Sequence, residues 1–226
     1  HPWFDTDGKL VATAKGEKGI ETPQPYDAVG GVDTWLGLLT GTLGNDCDGD
    51  GVEDKWTLVQ SREAFQRLAQ GDTPKRVVGV APVSTTLQQE RSGDVKAPAG
   101  AVPRNESVPT LAEMVRAALN VLDNDPDGFF VMIEGGAVDW AGHDNRSGRL
   151  IEEMMDFNRA IEAVVEWVEQ TSSWDETLVV ITGDHETGFL GGPDAKEVFA
   201  PLTNNGKGQM PGMEWRSGSH TNSLIP

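Results

Sequence analysis

The chain has 226 residues, of which 37% are hydrophobic and 24% are charged. Its 36 acidic residues outnumber its 18 basic residues, so the formal net charge is -18 at pH 7. That charge argues against nucleic acid or an anionic membrane as a partner, because both would be repelled. No apolar stretch approaches the length that spans a bilayer, and the first residues lack the pattern of a signal peptide. Cys47 is the single cysteine, which excludes an internal disulfide and a cysteine-based zinc cluster within the chain.

Residues 1–55 are rich in glycine and aspartate and predict an irregular segment with one short helix near residues 33–39. The last part of this segment holds aspartates at positions one, three, five and nine of a calcium-loop pattern: Asp46, Asp48, Asp50 and Asp54. Gly51 stands at position six, but Thr57 replaces the glutamate expected at position twelve. We predict calcium here rather than a solvated acidic turn, because alternating aspartates repel one another without a cation.

The segment from residue 56 to residue 106 predicts two strands around one helix. Residues 56–60 read as a short strand, and residues 61–71 as a helix capped by a serine. Residues 76–82 form a β-branched apolar run bounded by two prolines, which predicts a buried strand. Residues 84–106 are polar, with scattered proline and glycine, and predict a long excursion.

The second half of the chain predicts a β-α-β arrangement. Residues 109–124 read as a helix that opens with a capping box. Residues 128–134 and 177–183 are continuous apolar runs, which predict strands buried on both faces, and residues 149–170 predict the long helix between them. Apolar stripes mark the predicted core faces of the two helices: Leu111, Met114, Val115, Ala118, Leu119 and Leu122 on the first, and Leu150, Met154, Phe157, Ile161, Val164 and Val168 on the second. The predicted fold class is therefore α/β, with a largely parallel sheet flanked by helices.

Polar side chains follow both predicted strands. The first strand ends in Glu134, with Asp139 and His143 just beyond it, and the second is followed by Asp184 and His185. Because ligands of parallel sheets bind beyond the carboxyl ends of the strands, we expect these side chains at one edge. Each alone is more often a solvated or ion-paired surface group, but together they favour a metal site. Oxygen and imidazole ligands without a thiolate suit catalytic zinc or manganese, with magnesium at an all-oxygen position.

Three motifs in a fixed order resemble the alkaline phosphatase family: EGGAVDWAGH at residues 134–143, TGDHETG at 182–188 and SGSHT at 217–221. The segments at 75–82 and 105–136 are similar as well, so the resemblance covers most of the chain from residue 56 to residue 220. It implies an alkaline phosphatase-like fold that is incomplete at both ends. The domain prediction is an irregular segment at 1–55 and a metal-binding part of this fold at 56–226.

The resemblance implies a metal role for each matching residue. It implies magnesium at Glu134 and zinc at two further groups. The first group is Asp139, His143 and His220, and the second is Asp184 with His185. The implied activity is metal-dependent hydrolysis of phosphate monoesters, in the periplasm or outside the cell, with a homodimer as one possible assembly.

The chain departs from the family at the nucleophile. The family uses a serine that follows an aspartate in an N-terminal motif, and no Asp-Ser pair occurs in this sequence. We therefore expect an internal part of a longer protein, which supplies most metal ligands, lacks the nucleophile and is inactive alone. The missing N-terminal segment would be its partner, and the physiological substrate does not follow from these residues.

Two classes of function remain open at this point. The first is a metal-dependent phosphomonoesterase, represented here by its metal-binding portion. The second is a non-catalytic module of the same fold that binds metal or calcium. A two-metal phosphodiesterase or sulfatase is a related alternative, but the grouping of Glu134, Asp139 and His143 with Asp184 and His185 favours the monoesterase.

Overall fold

The computed structural model describes residues 5–7, 9, 31–193 and 200–225. Its elements in chain order are α1 (Val32–Thr40), β1 (Gly44–Asn45), β2 (Asp54–Val59), α2 (Arg62–Leu68), β3 (Arg76–Gly79), α3 (Leu111–Leu122), α4 (Ala137–His143), α5 (Ser147–Thr171), β4 (Glu186–Thr187) and β5 (His220–Thr221). Within these ranges, no helix is both long enough and apolar enough to cross a membrane. The predicted irregular segment at 1–55 lies partly outside the described residues.

A small three-stranded sheet forms in the order β1-β2-β3. The strands β2 and β3 run parallel, whereas β1 pairs with β2 in the antiparallel sense. This confirms the strands predicted at 56–60 and 76–82 and the helix between them, which Ser61 caps by accepting a hydrogen bond from the Ala64 amide at 3.2 Å. Trp35 and Leu38 of α1 are buried against this sheet, so α1, β2 and β3 share one core.

The main helical core lies between α3 and α5. The predicted capping box is present, because Thr110 accepts from the Glu113 amide while Glu113 accepts from the Thr110 amide. Val115 and Leu119 of α3 are buried against small residues of α5. This core fixes the long helix that leads away from the predicted metal loop.

The strands predicted at 128–134 and 177–183 are not formed, so the prediction that both are buried strands is wrong for this structure. Alternate side chains of the first run pack on the helical core, but Phe130 is 91% exposed and Leu178 of the second run is 86% exposed. Within the described ranges no neighbouring strand pairs with either run, and a single extended segment cannot bury both faces. The largely parallel α/β sheet is therefore confirmed only in part: helices flank a small mixed sheet.

The core face predicted for α5 is also partly wrong. Met154 is 40% exposed, whereas Arg149, Glu153 and Asp156 are buried. The reason is that the irregular segment at 84–106, which was predicted as an excursion, covers the first half of α5 and forms ion pairs with it. Arg149 and Asp156 form ion pairs in this buried face, whereas Glu153 forms none within the described ranges.

Candidate metal centre

The helix α4 carries Asp139 and His143 at a spacing of four residues, which places both side chains on one helical face. The structure forms a seven-residue helix here, which begins after Gly136. The strand β4 pairs with β5 in the antiparallel sense and aligns Thr187 with His220. Segments 77 residues apart in sequence thereby meet at one point.

Two glycines allow α4 to approach β4 closely. Gly142 is buried, and a Cβ atom there would lie 3.0 Å from the Thr187 Cβ. Gly188 has a φ of +90°, and a Cβ there would lie 2.5 Å from the Trp215 ring. A larger residue at either position would push the two segments apart, so both glycines serve the assembly of the site.

Three ligand atoms converge between these segments, and we call Asp139, His143 and His220 the histidine cluster. The two imidazole Nε2 atoms lie 3.0 Å apart. The Asp139 Oδ1 lies 3.5 Å from the His143 Nε2 and 3.2 Å from the His220 Nε2. This is the group of residues that the family resemblance assigned to one zinc ion.

The spacing within the histidine cluster fits a tetrahedral metal ion. Zinc binds imidazole nitrogen and carboxylate oxygen at about 2.0–2.1 Å, so two such ligands of a tetrahedron lie about 3.3 Å apart. The three distances of 3.0, 3.2 and 3.5 Å scatter around that value. Three protein ligands leave a fourth position for water or substrate, as catalytic zinc sites do.

Neighbouring groups orient the ligands. The His143 Nδ1 lies 2.8 Å from the Gly218 carbonyl oxygen, which can only accept, so Nδ1 carries the proton and Nε2 presents its lone pair. The Thr187 hydroxyl donates to Asp139 Oδ1 at 2.5 Å. Sequence reasoning missed both roles. The Gly218 contact goes through the backbone and leaves no sequence signal, whereas Thr187 stands inside the second motif and could have been singled out.

The remaining predicted ligands do not belong to the cluster. The His185 ring stacks on His220 at 3.6 Å between centroids, with its Nδ1 4.0 Å from Asp139 Oδ1. Asp184 is exposed and lies 3.4 Å from His185 Nε2. Glu134 is exposed as well. Among the described residues, neither acidic side chain joins a compact group of three metal-ligand atoms.

An open cavity of about 390 Å³ lies beside the cluster. Asp139, Trp140, His143 and Asp144 line it, and Trp140 is 49% exposed there. A small charged ligand could therefore reach the cluster from solvent.

The second group of clustered carboxylates is the acidic loop, residues 46–54. Ligand oxygens of Asp46, Asp48 and Asp54 lie within 4.8 Å of one another, while Asp50 falls outside the group. The ammonium group of Lys75 lies 2.5 Å from Asp48 and 2.9 Å from Asp54. A lysine thus stands among the carboxylates that were predicted to hold calcium.

Hydrogen bonds and nearby charges shift the pKa values of groups at the acidic loop. Hydrogen bonds from the Cys47 thiol and from Lys75 lower the pKa of Asp54 to about 2. The hydrogen bonds that Lys75 donates raise the pKa of the lysine, and the bond to Asp48 contributes more than the bond to Asp54. Asp54 therefore stays ionised and Lys75 stays protonated at neutral pH, and Lys75 is an internal counterion that sequence reasoning missed.

The family model described as alkaline phosphatase matches residues 43–222. Alkaline phosphatase 3 of Bacillus subtilis is 41% identical over 87 residues, which is 38% of this chain and 18% of that protein. The alkaline phosphatase of Escherichia coli is 30% identical over 217 residues, which is 85% of this chain and 42% of that protein. The chain thus spans less than half the length of these curated relatives.

Solved structures of alkaline phosphatases are similar to this chain as well. The cold-active alkaline phosphatase from a psychrophilic Shewanella species aligns with a TM-score of 0.46 at 25% identity, over 66% of this chain and 32% of that one. The alkaline phosphatase of the Antarctic bacterium TAB5 aligns with a TM-score of 0.44 at 22% identity, over 75% of this chain and 44% of that one. The family match alone covers well over half of the sequence and includes every member of the histidine cluster. The chain belongs to the alkaline phosphatase family.

Proposed function

We propose that this chain is the metal-binding part of an enzyme that hydrolyses phosphate monoesters. The observation that carries the proposal is the convergence of Asp139, His143 and His220 at distances that suit one tetrahedral ion. Family membership supports the reaction class. The same convergence favours a zinc-dependent enzyme over a module that binds calcium alone, because imidazoles are poor ligands for calcium.

The charge of these 226 residues makes a bound metal ion favourable for this function. A net charge of -18 repels a phosphate ester, and the nearby Arg146 is already paired with Glu90 and Asp144. A bound zinc ion would supply the missing positive charge and polarise a phosphoryl oxygen. The chain's own residues hold the ligands in place: Gly218 fixes the His143 ring, and Thr187 fixes the Asp139 carboxylate.

The proposal includes the further ions that the family resemblance implies. Asp184 and His185 would hold a second zinc ion, and Glu134 would hold magnesium. The contact between the His185 and His220 rings supports a second ion close to the first. The exposure of Asp184 and Glu134 is expected if additional polypeptide completes these two sites.

We also propose that polypeptide outside these 226 residues covers the two extended runs that lead into the site. Phe130, Met132, Leu178 and Val180 are all more than 70% exposed. Patches of this kind mark surfaces that another segment covers. The chain's length, under half that of its curated relatives, supports the same protein as the source. A periplasmic or extracellular location and a homodimer belong to this proposal as the resemblance implies them.

Hydrolysis of p-nitrophenyl phosphate at alkaline pH, with zinc and magnesium present, tests the function. We expect the 226-residue chain to be no faster than zinc alone, because it offers no Asp-Ser nucleophile, and a parent protein with the preceding segment to turn over. His143→Ala in that parent should abolish turnover. Robust turnover by the 226-residue chain would overturn the assignment of the missing nucleophile.

Two further substrates separate the related alternatives. Preference of the parent protein for bis(p-nitrophenyl) phosphate would indicate a phosphodiesterase, and preference for p-nitrophenyl sulfate would indicate a sulfatase. A parent that binds zinc tightly but hydrolyses none of the three esters would be the non-catalytic module.

As a second and separate binding function, we propose calcium in the acidic loop. All its clustered ligands are oxygens, which calcium prefers. Because Lys75 lies at the carboxylates, calcium must displace its ammonium group, so we expect weaker binding than the aspartate pattern alone would predict.

A further inference from the structure

Gln89 is a fully buried side chain in the irregular segment at 84–106, with 0% exposure. Its amide Nε2 donates to Asp144 Oδ2 at 3.0 Å, and its amide oxygen faces the Thr86 hydroxyl at 3.4 Å. Asp144 directly follows His143 and lines the cavity beside the histidine cluster. A buried donor from a distant segment therefore holds the residue next to a proposed metal ligand.

A second contact joins the same two segments. Arg146 pairs with Glu90 at 2.8 Å and with Asp144 at 3.1 Å. Adjacent residues of the excursion, Gln89 and Glu90, thus hold both ends of the turn at residues 144–146. Four side chains form one connected network, two from each segment.

The turn needs such support because its backbone is unusual. Asn145 has a φ of +55°, in the left-handed region that residues other than glycine rarely adopt. Backbone bonds from Asn145 to Gly142 and from Arg146 to Ala141 close the turn onto the end of α4. Asn145 also donates to the His143 carbonyl oxygen at 3.4 Å. The conformation of this turn therefore sets where α4 ends, and His143 is the last residue of α4.

We propose that Gln89 is a positioning residue for the metal centre, acting through Asp144 on the turn that fixes His143. The inference rests on the proposed zinc site, and Gln89 itself touches neither metal nor substrate. Glutamine suits the task because it supplies a donor to the Asp144 carboxylate without adding charge to a buried position. Partners bonded directly to a metal ligand contribute about 10- to 100-fold to metal affinity, so we expect the lower end of that range for Gln89, which acts through one further residue.

Zinc affinity of Gln89→Leu, measured by competition with a chromophoric chelator, tests the proposal. The matched control is Gln88→Leu, because Gln88 is equally buried but bonds only to the Asn105 backbone within the same segment. We expect about tenfold weaker zinc binding in Gln89→Leu and a change under twofold in Gln88→Leu. Equal zinc affinities in the two variants would overturn the proposal.

A metal-independent readout separates this inference from the zinc assignment. In EDTA, amide hydrogen exchange at residues 144–146 should be faster in Gln89→Leu than in Gln88→Leu, even if the unmutated 226-residue chain binds no zinc. Unchanged amide exchange at the turn would overturn the role of Gln89. Absence of zinc affinity in the unmutated 226-residue chain would overturn only the proposed function. Glu90→Gln, at a less buried position, should shift both readouts in the same direction by a smaller amount, which covers the case that Gln89→Leu does not fold.

Discussion

The histidine cluster and the acidic loop are both compact groups of potential metal ligands, but they differ in what balances their charge. In the acidic loop, the Lys75 ammonium lies 2.5 Å from Asp48 and 2.9 Å from Asp54. In the histidine cluster, Asp139 contacts imidazoles and the Thr187 hydroxyl, and no lysine or arginine of the described ranges pairs with it. The cluster therefore has no internal cation among the described residues, whereas the loop already contains one.

This difference shows that spacing of ligand types is not enough to identify a metal site. The aspartates of the loop follow a calcium pattern closely, but a lysine 21 residues after Asp54 pairs with Asp54 and with Asp48. The histidine cluster comes from three separate motifs, and the Gly218 carbonyl turns the His143 Nε2 toward the other two side chains. A metal prediction should consequently ask which internal cations the fold delivers.

The largest expected effect is the loss of zinc on breaking the histidine cluster. His143→Ala removes one of three strong donors, so we expect at least 100-fold weaker zinc binding, by equilibrium dialysis. Asp48→Asn in the acidic loop serves as the control and should leave zinc affinity unchanged. If the first variant retains its zinc and the second loses it, the zinc lies in the acidic loop and the comparison is reversed.

A buried carboxylate that forms no direct ion pair within the described ranges sharpens the comparison. Glu153 is 8% exposed, and its Oε1 is buried without a hydrogen-bond partner. Burial, followed by the charge of Asp156, raises the pKa of Glu153 from 4.5 to about 7. The folded protein therefore holds this proton more tightly than the unfolded chain. The contribution of Glu153 to the free energy of unfolding is fully present below pH 4.5. It is lost as the pH rises through 7, and the loss amounts to about 3 kcal/mol.

Glu153→Gln replaces this group by a neutral one of the same shape and should remove most of that fall. Urea unfolding between pH 4.5 and pH 8 measures it. Glu166→Gln, which affects only an exposed pair with Arg116, should retain the fall. If the free energy of unfolding changes with pH in the same way for Glu153→Gln and for the unmutated chain, Glu153 is ionised in the folded protein at neutral pH.

The smallest expected effect concerns the internal counterion. Lys75→Met should strengthen calcium binding by about tenfold, because calcium no longer competes with an ammonium group for Asp48 and Asp54. Lys55→Met removes the same charge from an exposed position and should change calcium affinity far less. Limited proteolysis of the loop with calcium or with EGTA reports binding, and Asp48→Asn combined with Asp50→Asn should remove the protection.

Calcium affinity that is unchanged in Lys75→Met would mean that the lysine does not occupy the site in solution. Cleavage that is identical with calcium and with EGTA, in both the parent chain and Lys75→Met, would leave the acidic loop as a solvent-facing turn.

Local signals in the sequence predicted several elements correctly. The helices α2 and α3 follow from their caps at Ser61 and Thr110, since side-chain caps act within a few residues. The strand β3 follows from a β-branched run with a proline at each end, and β2 from the short strand predicted at 56–60, whereas their parallel pairing comes from the structure. The apolar runs at 128–134 and 177–183 were predicted as strands, but strand formation requires a partner that the described chain does not provide.

The sequence by itself determined the motifs and hence the chemical types of the ligands at Asp139, His143 and His220. Only the tertiary structure decided how they meet, because the pairing of β4 with β5 and the close approach at Gly142 bring together segments 77 residues apart. The same is true of Lys75 at the acidic loop and of Gln89 at Asp144. Long-range contacts between polar side chains leave no periodicity in a sequence, whereas caps and apolar stripes do.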